Sequence, residues 1–203
     1  MSSAILSRIG MEFRLVLRGP LPPERRRANT VPKHAVRRAL HPQLKALFQQ
    51  HPLLRAHLEP VGGEPSVVEQ TANQNRLGRF RFVPLVDTTG ACALDVLILL
   101  REEPYRMFNA AGDIDGRVKT LLDGLRMPQQ PIEIPKGERP SADEDPFYVL
   151  LEDDSLIYEL NVQTDRLYTP LAAKEHVRDV VAVIRVRIKA ISNQAVSVYN
   201  YGP

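Results

Sequence analysis

The stretch Gly112-Asp113-Ile114-Asp115-Gly116-Arg117-Val118-Lys119-Thr120-Leu121-Leu122-Asp123-Gly124-Leu125 is the most informative part of this chain. Its apolar residues recur at the i, i+3, i+4, i+7 spacing of an amphipathic helix, at Val118, Leu121, Leu122 and Leu125. Asp113 and Asp115 stand where this helix should begin, and either can cap its exposed N–H groups. Lys119 lies four residues after Asp115 and four before Asp123, which predicts that these three line one helical face.

A second acidic cluster, Glu152-Asp153-Asp154, follows the apolar run at residues 147–151. It precedes residues 156–162, where apolar and polar positions alternate as in a half-buried strand. An acid at a strand end can face acids at a helix start, and carboxylate oxygens of that kind suit Mg²⁺ or Mn²⁺. The alternative interpretation is an Asp-capped surface helix with ordinary charge pairs.

Both motifs together resemble those of the RusA-type Holliday junction resolvases. The resemblance rests on Asp-x-Asp at positions 113 and 115, on Lys119, on the Leu-Asp-x-Leu of residues 122–125 and on the pair Asp153-Asp154. It covers residues 93–162, with weaker agreement at residues 13–17 and 180–191.

The resemblance implies a small, homodimeric, Mg²⁺-dependent endonuclease that cuts four-way DNA junctions, with Mn²⁺ as the alternative ion. It implies an α/β fold in which a small mixed β-sheet packs with helices. The metal-binding and catalytic acids would then be Asp113, Asp115 and Asp154, and the active-site lysine would be Lys119.

The chain departs from the family at two places. The family usually has Asn after the second motif Asp, where this chain has Gly116. The family also joins its helix to the Asp-Asp pair by a short loop, whereas a Pro-rich insertion at about residues 126–147 intervenes here. This insertion is predicted to cover the site, to extend a dimer contact or only to connect. These departures keep two alternatives open: a nucleic-acid-binding or assembly protein that lost turnover, and a structural protein with a coincidental acid cluster.

The charge distribution is asymmetric although the net charge is only +3. Residues 1–60 hold 11 Lys and Arg against 3 Asp and Glu, while residues 141–179 hold 3 against 10. A polyanion would contact the basic part through its phosphates. The loop with Arg25, Arg26 and Arg27 is the candidate for holding a nucleic-acid backbone, with a solvated loop as the alternative.

The composition is that of one globular domain of 203 residues, with 43% apolar and 25% charged residues. No apolar run is long enough to span a bilayer, and the N-terminal residues are a poor signal peptide. We therefore expect a cytoplasmic protein that does not associate with a membrane. The single cysteine, Cys92, excludes an intrachain disulfide and is expected to be buried and inert.

Several local patterns predict elements that the structure can test. Residues 12–17 alternate as a strand, and Pro42 should separate a helix at residues 33–39 from one at residues 43–50. Turn chemistry at residues 87–90 predicts a hairpin between strands at residues 79–86 and 93–100. The second of these strands is apolar nearly throughout, which predicts cover on both faces. In a last strand at residues 180–190, the apolar set should face the core: Val180, Ala182, Ile184, Val186 and Ile188.

Overall fold

The computed structural model describes residues 10–24, 30–101, 114–170, 176 and 179–190. The described helices are α1 (Thr30–Gln50), α2 (Pro52–Arg55), α3 (Val67–Gln74) and α4 (Ile114–Leu125). The described strands are β1 (Met11–Pro20), β2 (Arg76–Leu77), β3 (Phe80–Val86), β4 (Gly90–Leu100), β5 (Phe147–Leu151), β6 (Ile157–Arg166) and β7 (Asp179–Ala190).

The strands form two mixed sheets packed with helices, which confirms the α/β class. The larger sheet has the order β1-β7-β4-β6, with β4 and β6 parallel and the other neighbours antiparallel. The smaller sheet has the order β2-β3-β5, with β3 and β5 parallel. The second sheet was not predicted, because the strand at residues 79–86 was expected to pair with β4, and nothing local in the sequence indicates that it pairs with β5.

The predicted core face of β7 is confirmed. All five apolar positions of the alternating set are at most 4% exposed. They share one face of the sheet with Leu15 of β1 and with Leu94 and Ile98 of β4, which are equally buried. Strict period-2 alternation therefore identified the inner face of this sheet.

The predicted hairpin between β3 and β4 is wrong. The turn itself forms, since the Gly90 N–H donates to the Asp87 carbonyl at 3.0 Å and the Asp87 carboxylate accepts from the Thr89 N–H at 2.9 Å. The strands then enter different sheets, β3 beside β5 and β4 between β7 and β6. Turn chemistry fixes only the local chain reversal, and the long-range partners of the strands were decided by burial of their side chains.

The predicted break at Pro42 is also wrong, because α1 runs through it. Pro42 is exposed, and buried side chains flank it on the core side, among them Leu40, His41 and Leu44. Tertiary packing here outweighs the loss of one helical hydrogen bond. The side chain of the next residue, Gln43, hydrogen-bonds to Val16 on the edge strand β1. It accepts from the Val16 N–H at 2.9 Å and donates to the Val16 carbonyl at 2.8 Å.

Cover on both faces of β4 is not found among the described residues. Leu94, Val96 and Ile98 are buried, whereas Asp95, Leu97 and Leu99 on the other face are only half-buried. The predicted half-buried face at residues 156–162 is found only in part: Leu156 and Val162 are half-buried against the core, whereas Tyr158 is 46% and Leu160 42% exposed. The reason is position, because β6 is the last strand of its sheet in the described part of the chain.

The Pro-rich insertion at residues 126–147 packs along α1 before it enters β5. Arg38 on α1 forms ion pairs with Glu138 at 2.8 Å and with Glu144 at 3.0 Å. His41 contacts the Asp143 carbonyl at 2.9 Å, and its other ring nitrogen accepts from the Tyr148 N–H at 2.9 Å. The insertion is thus a folded part of the helical layer.

Candidate active site

Helix α4 carries the first motif and packs as its periodicity predicts. Leu121 and Leu125 are fully buried, and Val118 and Leu122 are half-buried against the core. Asp115 lies exposed in the first turn. Asp113, the other predicted cap and metal ligand, lies outside the described residues.

Lys119 is directed away from its neighbours on α4 by an acid that the sequence did not reveal. Its Nζ lies 2.6 Å from Oε2 of Glu24, in the segment after β1. The Glu24 side chain is only 7% exposed, whereas that of Lys119 is 50% exposed. The predicted row of Asp115, Lys119 and Asp123 is therefore replaced by a contact between two distant parts of the chain.

Glu24 also binds a second lysine, so its carboxylate is shared. Its Oε1 lies 2.6 Å from Nζ of Lys33, and the same Nζ lies 2.6 Å from Oδ2 of Asp123. Burial raises the pKa of Glu24, but the hydrogen bonds from Lys119 and Lys33 outweigh burial and hold this pKa below its ordinary value. Burial likewise lowers the pKa of Lys33, and its two carboxylate partners outweigh that and raise it.

Two arginines complete the network at the end of α4. Arg37, which is 1% exposed, donates to the backbone carbonyls of Asp123 at 2.6 Å and Arg126 at 3.0 Å. It thereby satisfies carbonyls that the last turn leaves unpaired. Burial lowers the pKa of Arg37 to about 10. Arg126 in turn forms an ion pair with Glu133 at 2.8 Å.

Gly116 marks the place where the segment after β1 touches α4. Its carbonyl accepts the Glu24 N–H at 2.9 Å. A Cβ at this position would stand 3.0 Å from the Glu24 nitrogen and 3.1 Å from the Pro23 Cβ. Glycine therefore allows the segment to lie close to the helix, which gives this departure from the resolvase motif a packing reason.

Asp154 stands at the far end of α4 from Asp115. It begins a single turn, Asp154–Leu156, that contacts α4 and leads into β6, and it is exposed. Burial alone lowers the pKa of Arg126. The charges of Glu133, Asp123 and Asp154 outweigh burial and raise it. Leu151, three residues before Asp154, accepts the Met127 N–H just beyond α4 at 2.8 Å, which places Asp154 near the last turn of the helix.

Asp115 and Asp154 lie near opposite ends of α4 within one copy of the chain. Asp115 precedes Arg126 by 11 residues, which is about 16 Å along a helix at 1.5 Å per residue. Within the described ranges, no three His, Cys, Asp or Glu residues form a group that could hold a metal ion. The three-carboxylate site stays a prediction, because Asp113 is not among these residues. Asp115 and Asp154 offer the exposed oxygen donors that Mg²⁺ takes, and neither completes a site with its described neighbours.

The arginines of the predicted backbone-binding loop, Arg25, Arg26 and Arg27, lie outside the described residues. The residue before them, Glu24, is anchored on α4 by its backbone and its side chain. α1 starts at Thr30, directly after this stretch. The predicted basic loop is therefore connected at both ends to elements of the candidate site.

Sequence reasoning missed Glu24, Lys33 and Arg37. The only available signal was the i, i+4 spacing of Lys33 and Arg37, which places two cations on one side of α1. Nothing in the sequence indicates that this side of α1 faces α4. The close contact between the two helices depends on Gly124. A Cβ at Gly124 would stand 2.5 Å from Val36, so only glycine lets the two helices approach this closely.

Comparison with known proteins finds no matching family model, no matching curated protein and no matching solved structure. None of the helices in the described part of the chain is both long and apolar enough to cross a membrane.

Proposed function

We propose that this chain is a divalent-metal-dependent endonuclease of the RusA-like type that acts on branched DNA as a homodimer. One observation carries the proposal: the elements that bear the two acidic motifs are neighbours in the fold. β4 precedes α4 in the chain, and the turn with Asp154 contacts α4 and leads into β6, which pairs in parallel with β4. Motifs far apart in sequence are thus attached to one pair of adjacent strands.

The close packing at Gly116 supports the same proposal. A glycine where the family has Asn would suggest a decayed motif if the position were exposed and free. Instead, the close approach of Pro23 and Glu24 favours a residue without a side chain. The substitution is therefore compatible with a functional first turn of α4.

The chemistry that a divalent cation supplies at such a site is activation of water and neutralisation of charge on the phosphate. Asp115 and Asp154, with Asp113, would provide its carboxylate oxygens. Lys119 would stabilise negative charge that develops on the phosphate or the leaving oxygen. Glu24 would hold the Lys119 ammonium in place, since the two groups are 2.6 Å apart.

The separation of Asp115 from Asp154 has a consequence for the assembly. Two carboxylates at opposite ends of one helix do not share an ion, but two copies related by a two-fold axis can place the start of one α4 beside the end of the other. We therefore propose that each site takes Asp115 from one copy and Asp154 from its partner. A dimer of this kind would carry two sites for two strands.

The test is a cleavage assay on a four-way junction and on a linear duplex of the same sequence, with Mg²⁺ and with a chelator. We expect junction cleavage that requires the ion and is lost in Asp115→Asn and Asp154→Asn. Both variants should remain folded and bind the junction at least as well as the wild type, because they remove negative charge near the phosphate. Cleavage that survives in both variants, or unfolding of both, contradicts the assignment.

A second candidate function is nucleic-acid binding or assembly without turnover. The observation that favours it is the tight pairing of Lys119 with Glu24, which leaves the cation partly neutralised. Junction binding without cleavage under any divalent ion, together with unchanged behaviour of the two Asn variants, would favour this candidate.

A further inference from the structure

We propose that a second site, outside the candidate active site, binds a nucleotide, either free or as a unit of an unpaired nucleic-acid strand. This site is the cavity between residues 77–80 and residues 131–139, which we call the insertion cavity. Its volume is about 360 Å³, which is within the range of roughly 300–1,000 Å³ for ligand pockets. The resolvase-like motifs contribute no residue to it.

Three cations surround the insertion cavity: Arg79, Lys136 and Arg139. All three are exposed, and in the described part of the chain none has a carboxylate within ion-pair distance. A cluster of unpaired positive charges at a concave surface attracts anions. Guanidinium groups in particular match the geometry of phosphate oxygens.

The acids of the same segment are directed elsewhere, so they do not neutralise these cations. Glu133 pairs with Arg126 at 2.8 Å. Glu138, which also lines the cavity, pairs with Arg38 at 2.8 Å. Acidic and basic residues alternate in this part of the sequence. In the folded chain the acids point toward α1 and α4, and the cations point toward the cavity.

The cations are presented by two tight turns. Arg79 follows Gly78, whose φ is +62°, and Lys136 precedes Gly137, whose φ is +86°. Positive φ suits glycine, and the first turn is held by the pairing of Leu77 with Phe80 between β2 and β3. The Glu138 N–H closes the second turn on the Pro135 carbonyl at 3.2 Å. The cavity is therefore built from fixed backbone on both sides.

The remaining wall is apolar, which distinguishes a nucleotide from phosphate alone. Leu77 and Ile134 line the cavity and pack against the buried cluster of Phe80, Phe82, Phe147 and Val149. Apolar surface accommodates the face of a base, while the cations receive the phosphate. Of the ligand classes with one apolar and one anionic part, we choose a nucleotide, and this choice rests on the nucleic-acid function proposed above.

The test measures binding directly and does not depend on cleavage. A fluorescent single strand of about 15 nucleotides is titrated with the full chain in a chelator, and anisotropy is followed at several salt concentrations. The combined variant Arg79→Ala, Lys136→Ala, Arg139→Ala is compared with a control of equal charge, Arg14→Ala, Arg18→Ala, Arg55→Ala. Because all six side chains are exposed, thermal unfolding should be unchanged and serves as the folding control.

We expect the cavity variant to lose about tenfold or more in affinity and the control variant much less. The slope of log affinity against log salt should fall by about 0.7 for each phosphate that the variant no longer neutralises. Equal losses in the two variants would overturn the proposal, because only net charge would then matter.

Competition distinguishes the sources of the ligand. Deoxyadenosine monophosphate should displace the strand from the wild type more effectively than inorganic phosphate does. Equal competition by the two would overturn the nucleotide assignment, since the apolar wall would contribute nothing. If the strand does not bind, direct calorimetry with the mononucleotide decides: binding that the cavity variant loses supports a free nucleotide as the ligand, and absence of binding overturns the proposal.

Discussion

Oε2 of Glu24 lies 2.6 Å from Nζ of Lys119, which ties the segment after β1 to α4. The other oxygen of Glu24 binds Lys33, which in turn binds Asp123. One largely buried carboxylate thus joins the segment after β1 to α1 and α4 at the proposed active site. The strength of this junction can be measured separately from any activity.

We expect Glu24→Gln to destabilise the fold by about 3 kcal/mol, because it removes one partner of a largely buried pair. The pKa of Glu24 is below its ordinary value of 4.5 in the folded state, so its contribution is complete above that pH. It is lost as the pH falls through the folded-state pKa. Urea unfolding at neutral pH and at lower pH should therefore show a difference between the two proteins that shrinks on acidification. Glu64→Gln, at an exposed glutamate, is the control and should change stability little. A constant difference across this pH range would show that the ion pairs are not its source.

Mixing two inactive variants tests whether the active site is shared between copies. Asp115→Asn and Asp154→Asn should each fail to cut a junction. If each site combines residues of two copies, a mixed dimer keeps one intact site, and random exchange restores roughly a quarter of the wild-type sites. The measurement is nicking of a labelled junction after subunit exchange, with exchange verified by differently tagged chains. No recovery despite verified exchange would locate both carboxylates in one copy.

Gly124→Ala should destabilise the protein by about 3 kcal/mol or more. In an exposed helix the same change is normally stabilising, by up to about 1 kcal/mol. The opposite sign follows from the added Cβ, which would meet two atoms of Val36 at 2.5 Å. Gly116→Ala, where the nearest atom is 3.0 Å away, should cost less. Thermal unfolding of both variants checks this order, and a stabilised Gly124→Ala would contradict the close contact between α1 and α4.

His34 should make stability depend on pH between its unfolded and folded pKa values. Burial lowers the pKa of His34 from 6.5 to about 4, and neither ring nitrogen has a hydrogen-bond partner in the described structure. The stabilising neutral form is complete above pH 6.5, and stability falls as the pH is lowered toward 4, by up to about 3 kcal/mol. His34→Leu should remove this loss. His51→Gln is the control, and an unchanged pH profile in His34→Leu would contradict the assignment.

A variant of the basic loop tests whether nucleic acid binds next to the candidate site. Replacing Arg25, Arg26 and Arg27 by Ala should weaken junction binding. On duplex arms, the salt slope should fall by about 0.9 for each phosphate that the loop no longer neutralises. The matched control is again Arg14→Ala, Arg18→Ala, Arg55→Ala, which removes equal charge from other elements. Unchanged affinity and slope would show that the loop is solvated surface.

The sequence determined the features that depend on periodicity along one element. The five apolar positions of β7 face the core as their alternation predicts. The apolar face of α4 is buried at Leu121 and Leu125, as a 3.6-residue period requires. These patterns are reliable because the helix and the strand each repeat their side-chain directions regardless of what they pack against.

Only the tertiary structure decided which elements meet. It directs Lys119 to Glu24 instead of to its neighbours on α4, and it places Asp154 near the end of α4 opposite Asp115. It carries α1 through Pro42 and separates β3 from β4 after a well-formed turn. The physical reason is the same in each case: pairing and burial between distant segments contribute more free energy than local preferences, which are a few tenths to about 1 kcal/mol for most residues and about 3 kcal/mol for a proline inside a helix. The sequence shows the local helix and strand propensities directly, whereas the distant contacts exist only once the chain has folded.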